Sequence, residues 1–339
     1  MENTTIALKE QYESFKAANP RVRIRDAAKQ LGVSEAELVA VSPQTIPLKG
    51  DHIQEILKAV PTLGYVMALT RNDFAVHERK GEYRKVGVNG HIGLVVNPDI
   101  DLRLFLHQWK FAFAVEEGER RSIQFFGGDG EAIHKIYIQE NSNVAAYEQL
   151  IRTFKAEETD KPLSIEDSPA KPEEKPDSEI NAKAFQEAWL ALQDTHDFHG
   201  LLRTYGITRT QALRLAPGGH AYRMELPVLK TILTQISERN LEIMVFIGNR
   251  GCIQIHTGQM KKLVQTGPWF NVLDPEFNMH LREDAIEKIW VVKKPTAEGL
   301  VTSIEVYDAA GDLIVQFFGK RKPGIPERED WRQVIADFT

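Results

Sequence analysis

Tyr147-Glu-Gln-Leu-Ile-Arg-Thr-Phe154 and Trp331-Arg-Gln-Val-Ile-Ala-Asp-Phe338 share an aromatic residue, a glutamine, an isoleucine and a phenylalanine at the same four places. One such match carries little weight. It closes an ordered series, however, that begins with Gly32-Val33-Ser34 echoed by Gly206-Ile207-Thr208 at an offset of 174, with Phe15 matched by Trp189. Met67, Asn72, Gly81, Lys85, Pro98 and Leu104 recur as Met244, Asn249, Gly258, Lys262, Pro275 and Leu281 at 177, then Ser122-Ile123 and Gly130 recur as Ser303-Ile304 and Gly311 at 181. Offsets that grow slowly and in order mark a duplicated domain with small loop insertions. Two tandem, structurally similar halves are expected, residues 1–155 and 184–339.

Between them, residues 156–183 hold Asp-Ser-Pro-Ala-Lys-Pro-Glu-Glu-Lys-Pro-Asp-Ser and little that is apolar. Such a stretch cannot bury enough surface to offset its ordering entropy, so an extended linker is predicted. A cleft between the halves is then the default place for a ligand.

Each copy reads as helices, then strands, then a closing helix. Helical patterning covers Glu10–Ala18, Ile24–Gly32 and Glu35–Val41, with Asn19-Pro20 as a breaker and Ser34-x-x-Glu37 as a capping box. Strand signals follow in 65–70, 93–96, 110–115, 122–126 and 132–138, and again in 243–248, 289–293, 303–307 and 313–318. Short turns between neighbours favour antiparallel pairing. The fold class is α+β, each half a mainly antiparallel β-sheet with helices packed at one side and the ligand cleft between the halves.

With 339 residues and 42% hydrophobic content, each half can bury its own core. The net charge of -6 disfavours nucleic acid as a partner. A single cysteine, Cys252, excludes an internal disulfide framework and any multi-cysteine metal site, which fits a reducing compartment. Neither a signal-peptide pattern nor an apolar run long enough for a membrane span is present, so a cytoplasmic location without membrane insertion is expected.

Phe185, Trp189, Leu192, His196 and His199 are spaced by four, three, four and three, which on one continuous helix would form an inward stripe. Alternatively, Gln193-Asp194-Thr195 ends one helix and caps the next, placing His196 in a first turn that keeps its imidazole neutral. Either way these two histidines are candidate ligands. Arg25-Asp-Ala-Ala-Lys-Gln-Leu-Gly-Val-Ser-Glu-Ala-Glu-Leu38 looks like a helix–turn–helix, but its second helix is acidic where phosphate would lie. DNA regulation is therefore a third reading. No phosphate-binding, zinc-hydrolase or serine-hydrolase motif is present.

Several stretches together resemble one family across essentially the whole chain: Arg71-Asn-Asp-Phe-Ala-Val-His-Glu78, Asp101-Leu-Arg-Leu-Phe105, Asp194-Thr-His-Asp-Phe-His199, Ile243-Met-Val-Phe-Ile-Gly-Asn249 and Lys293-Lys-Pro-Thr296. It is that of the cytoplasmic hemin-degrading and heme-trafficking proteins of Gram-negative bacteria (the HemS, ChuS and PhuS type). The second histidine, three residues after the first, resembles the heme-chaperone branch.

This resemblance implies heme b as ligand or substrate, held between the halves with His196 as axial ligand of the iron. His199 is an alternative ligand and His77 a further one. Arg103 falls on the opposite face, where it would hold a distal water or steer oxygen by hydrogen bonding, so Arg103 and His196 are the catalytic candidates if heme is cleaved. At an offset of 177, Arg103 corresponds to His280, so the copies have diverged there. Arg209, Lys294, Gln316 and Arg321 would meet the propionates, and Phe105 and Phe246 the porphyrin or its neighbouring cavity. Phe318 stands where several relatives have tyrosine, which removes one hydroxyl. His91, His107, His134, His220 and His256 are expected to be structural or surface groups. The implied partners are a separate heme oxygenase, an inner-membrane heme importer and, for an enzyme, a reductase as external electron donor. Carrying imported heme and cleaving it to release iron both use these residues; a pure chaperone that delivers heme without degrading it is the alternative.

Overall fold

The computed structural model describes residues 2–157, 162–171, 173–322 and 324–338, with side chains from Ile6 onward. The chain forms two compact units, one comprising Met1–Arg71, His77–Pro169 and Gly248–Gln254, the other Asn72–Val76, Ala170–Ile247 and Ile255–Thr339. Each unit therefore includes a short segment of the other sequence copy. Among the described residues no helix is long and apolar enough to cross a membrane.

In the first unit, strands Thr45–Leu48, Trp109–Glu117, Arg120–Gly127, Ala132–Ser142 and Gly64–Arg71 pair antiparallel in that spatial order. Side chains alternate across a strand, so each strand serves two faces. Ala112, Ala114, Ile123 and Ile136 pack on one face against Ile56, Leu57, Tyr147 and Leu150 of helices Ile53–Ala59 and Val144–Phe154. Phe113 and Val115 point the other way, onto Ala36 and Val39 of helix Glu35–Val41. A smaller antiparallel group joins Gly87–Asn89, Ile92–Val96 and Asp101–Phe105.

The second unit repeats this order with Ala221–Met224, Lys288–Thr296, Gly299–Tyr307, Leu313–Gly319 and Ile243–Gly248. Ile289, Val291, Ile304, Val306 and Phe317 face Leu229, Ile232, Leu233 and Ile236 of helix Leu226–Glu238 and Trp331 of helix Glu329–Ala336. Val292 and Tyr307 face Phe185, Trp189 and Phe198 of helices Ala182–Leu190 and Asp197–Tyr205. Strands Leu263–Thr266, Trp269–Leu273 and Phe277–Arg282 form its smaller group. The α+β organisation and antiparallel pairing are those expected. Helices cover both sheet faces rather than one, because the closing helices, joined by Ile53–Ala59 and Leu226–Glu238, lie on the face opposite Glu35–Val41 and Asp197–Tyr205.

The duplication extends to turn chemistry. In the second unit Asn72 Oδ1 accepts from the amides of Phe74 and Ala75 while its Nδ2 donates to the Ile314 carbonyl. In the first unit Asn249 Oδ1 accepts from Gly251 and Cys252 while its Nδ2 donates to Arg71 and Ile133. Gly32 and Gly206 end equivalent helices at φ 68° and 59°, a left-handed conformation that costs other residues more.

Of the span 156–183 expected to be a linker, residues 162–171 and 173–176 contain no helix or strand, but a 3-10 turn covers Asp177–Glu179 and helix Ala182–Leu190 begins inside it. The span is also tied down. Lys110 Nζ donates to the Ser164 carbonyl and to Glu166, and the Glu166 amide to Gly128. In the second unit Thr208 and Thr210 donate to Glu174, and Arg214 forks onto Asp177.

Candidate functional site

The two histidines stand at a helix junction. Helix Ala182–Leu190 stops, the chain turns, and His196 becomes the N-cap of Asp197–Tyr205. The continuous inward stripe is therefore broken: Phe185, Trp189 and Leu192 are buried, but the next buried residues are Phe198 and Leu201. His196 points outward with 87% of its side chain exposed, and His199 is also exposed. The break between two helices is the alternative realised, but His196 is itself the N-cap rather than a first-turn residue, and no side chain caps the helix.

Asp194 holds His196 in place. One carboxylate oxygen accepts from the His196 amide at 2.8 Å and contacts Nδ1 at 2.6 Å. With Nδ1 as the donor, Nε2 keeps its lone pair directed away from the protein, the usual second-sphere arrangement for a histidine that ligates metal. The amide bond from His196 keeps the Asp194 carboxyl below its ordinary range, and the Arg321 charge acts in the same direction. His199 titrates below an ordinary imidazole because its ring is partly desolvated and because Arg209 and Lys294 are close.

Beside this junction, on the face of the sheet opposite the Leu226–Glu238 helix, alternation places a polar row. Glu305 lies opposite Gln316, which lies opposite Phe246. Glu305 is fully buried and accepts from Arg209 Nε and Nη2 at 2.9 and 2.8 Å, Lys294 Nζ at 2.8 Å, Gln316 Nε2 at 3.0 Å and Ser303 Oγ at 3.1 Å, and also from the Tyr307 hydroxyl. Burial alone would raise its pKa, but Arg209 and Lys294 hold it well below the carboxylate range. Burial draws Lys294 down to about 8 against the attraction of Glu305. Phe246 and Phe318 pack with centroids 5.0 Å apart.

Seven of the residues singled out from sequence thus belong to the second unit: His196, His199, Arg209, Phe246, Lys294, Gln316 and Phe318. Arg321, just beyond strand Leu313–Gly319, is partly exposed there too. Arg103 and Phe105 lie in the first unit on strand Asp101–Phe105, where Arg103 Nη1 pairs with Asp101. His77 is buried within strand Ala75–Glu82. His134 is structural, as expected, held between Thr70 and the Tyr83 hydroxyl. His256 stacks on Phe277 at 3.7 Å. In the helix–turn–helix-like segment, five of the seven residues of Glu35–Val41 are buried, so that helix is a packing element.

Two contributors were missed. Asp194 was read only as a capping residue, although an aspartate two places before a histidine is within reach of its ring. Glu305 gave a clearer signal: in Ser303-Ile-Glu-Val-Tyr307 it shares a strand face with a serine and a tyrosine, the pattern of a covered polar face.

The side chains here can serve a ligand that is anionic at one end and apolar elsewhere, with a metal within reach of the imidazole. An outward imidazole offers a nitrogen, two cations against one carboxylate leave one positive charge, and paired aromatic rings offer an apolar surface.

The hemin transport protein HemS of Yersinia enterocolitica is 41% identical to this chain over 334 residues, 96% of each chain. The solved structure of apo-PhuS, a heme-binding protein from Pseudomonas aeruginosa, superposes with a TM-score of 0.96 at 48% identity over 99% of both chains. That of ChuS, a heme degrading enzyme of Escherichia coli O157:H7, gives 0.91 at 36% identity over 98% of this chain and 99% of its own. Residues 32–154 and 206–338 each match the family described as the Haemin-degrading HemS.ChuX domain, and the chain belongs to that family.

Proposed function

We propose that the protein binds heme in the cytoplasm and carries it after import, with His196 as axial ligand and His199 as the ligand used in exchange. The observation that carries this reading is the exposed pair His196 and His199 at the head of one helix, set beside the Arg209–Lys294–Glu305 cluster. Bound heme would contribute an iron with open coordination positions and two propionate carboxylates. His196, oriented by Asp194, offers the iron its Nε2. Arg209 offers a planar fork to a carboxylate, while Lys294, almost wholly buried, adds charge from beneath. Arg321 would add a cation for a propionate, and Phe246 and Phe318 an apolar contact.

A carrier needs a ligand it can give up. Two histidines one helical turn apart allow the iron to pass from one nitrogen to another without leaving the protein. The second reading, heme cleavage with external electrons, is favoured by the likeness to ChuS; in it Arg103, ion-paired to Asp101, would orient the reacting face.

The test is visible spectroscopy of the heme-loaded protein on moving from anaerobic to aerobic conditions, with a reductase and with catalase to remove free peroxide. A Soret band that persists and then moves to an added heme oxygenase is the result expected of a carrier. Loss of the band with a defined tetrapyrrole product would establish the enzyme instead.

A further inference from the structure

Glu305 is the carboxylate onto which the cluster converges, and none of its surface is exposed. Five side chains donate to it from four elements: Arg209 from helix Arg209–Arg214, Lys294 from strand Lys288–Thr296, Gln316 from strand Leu313–Gly319, and Ser303 and Tyr307 from its own strand. The Tyr307 hydroxyl also meets Arg209 Nε at 2.9 Å, so the guanidinium is fixed by two partners. A planar fork held in this way has its free edge pointed in one direction.

The same cluster reaches the histidine helix. Lys294 Nζ lies 4.5 Å from the centroid of the Phe198 ring, and the Arg209 guanidinium carbon lies 5.3 Å from it. Phe198 is buried and sits in the chain between His196 and His199. Contacts between cations and an aromatic face strengthen when desolvated, as here. The chain of contact therefore runs from the Glu305 carboxylate to two cations, and from them to the one aromatic side chain that anchors the head of Asp197–Tyr205.

A buried ion cluster is a poor source of stability, because desolvation offsets most of the attraction. What it supplies is geometry. We infer that Glu305 is a positioning residue of the ligand site, which aims Arg209 at an anionic substituent, so that heme is selected by its propionates. It touches neither ligand nor iron and acts through Arg209 and Lys294. The inference rests on the heme reading above.

The experiment compares hemin with hemin dimethyl ester, whose propionates are uncharged, on the full chain and on Glu305→Gln, Glu305→Asp and Tyr307→Phe. The parent is expected to prefer hemin by about tenfold or more, in line with a charge-assisted fork. Glu305→Gln should lose that preference, its hemin affinity falling about tenfold while its ester affinity stays within about twofold of the parent. Glu305→Asp should recover part of it. Tyr307→Phe, which leaves the carboxylate but removes one of its donors, should lower the preference in the same direction, and it serves if Glu305→Gln does not fold. Equal weakening of hemin and ester in these variants would reveal only general damage and overturn the inference, as would an unchanged preference. If the parent binds neither compound, the heme reading itself fails, and the inference with it.

Discussion

Glu35 and Arg209 occupy the same place in the two units with opposite charge. Each is the first residue of a short helix that follows a left-handed glycine and a Ser or Thr cap, Ser34 and Thr208. Each reaches across the same sheet face into a buried ion cluster: Glu35 accepts from Lys135 at 2.6 Å and from Arg71, whereas Arg209 donates to Glu305. At an offset of 181, Gln124 and Lys135 of the first copy correspond to Glu305 and Gln316 of the second. Duplication preserved the covered polar face and reversed its polarity.

That reversal makes the first cluster testable as pure structure. Burial would raise the Glu35 pKa, but Lys135 and Arg71 hold it down to about 2. Replacing it by Gln strands two buried cations, and Glu35→Gln is expected to cost about 3–5 kcal/mol in urea unfolding of the apo-protein. The folded pKa lies below the unfolded one, so the contribution of Glu35 is complete above about pH 4.5 and is lost as pH falls toward 2. The stability difference between parent and variant should therefore shrink in acid. A difference that stays constant down to pH 3 would contradict the assignment.

His134 gives a second dependence at milder pH. Burial pushes its imidazole down to about 3, and it remains neutral between Thr70 and Tyr83. The unfolded chain takes up the proton near pH 6.5, so the stability this neutral histidine confers is full above that pH. It drains as pH falls toward 3, at up to about 1.4 kcal/mol per unit. Between pH 6.5 and 5 the parent should lose stability more steeply than His134→Gln. Parallel slopes would show that the ring titrates normally.

Glu327 should behave in the opposite sense. Its Oε1 accepts from the Thr302 amide at 2.7 Å, and burial lifts its pKa to about 7 despite Arg332 and Arg321. The folded chain keeps the proton to higher pH than the unfolded chain, so this site favours folding below about pH 4.5 and loses that advantage as pH rises through 7. Glu327→Gln, which keeps the acceptor and cannot ionise, is expected to raise stability above pH 7 by about 1–3 kcal/mol and to leave it unchanged near pH 4.5. Destabilisation at pH 8 would show that the charge is needed.

The fold was legible because a repeat constrains both copies at once. Most strands in one half have a counterpart at a slowly growing offset along the chain, so a weak alternation such as 313–318 is supported by 132–138. The helices Ile53–Ala59 and Leu226–Glu238 escaped because they lie between the matched blocks. The cluster residues Arg209, Lys294 and Gln316 were reached through family likeness. Spacing could not show that all three converge on Glu305, since that depends on strand register across Gly299–Tyr307 and Leu313–Gly319. The register and the overlying Phe198 make Lys294 a buried cation rather than a solvated strand charge. The histidine stripe failed for a local reason: Asp194 bonds the His196 amide and starts a new helix, which turns the ring outward.

His196 and His199 are then expected to differ in role, because their surroundings differ. His196 is oriented by a carboxylate, whereas the His199 ring is partly desolvated and has the Arg209 and Lys294 cations nearby, which lower its pKa. His196→Ala should still bind hemin through His199, with a shifted Soret band and an affinity about tenfold lower, in keeping with the loss of an oriented ligand. His199→Ala should bind with nearly the parent's affinity but release heme to an acceptor more slowly, since the exchange partner is gone. Asp194→Asn, which keeps an acceptor but removes the charge, should fall between the parent and His196→Ala in affinity. The double variant His196→Ala/His199→Ala should lose axial ligation altogether. Titration followed at the Soret band, with stopped-flow transfer to apomyoglobin, reads all four. If the double variant keeps the parent's spectrum and affinity, the iron is held elsewhere and the assignment of this helix as the axial element is wrong.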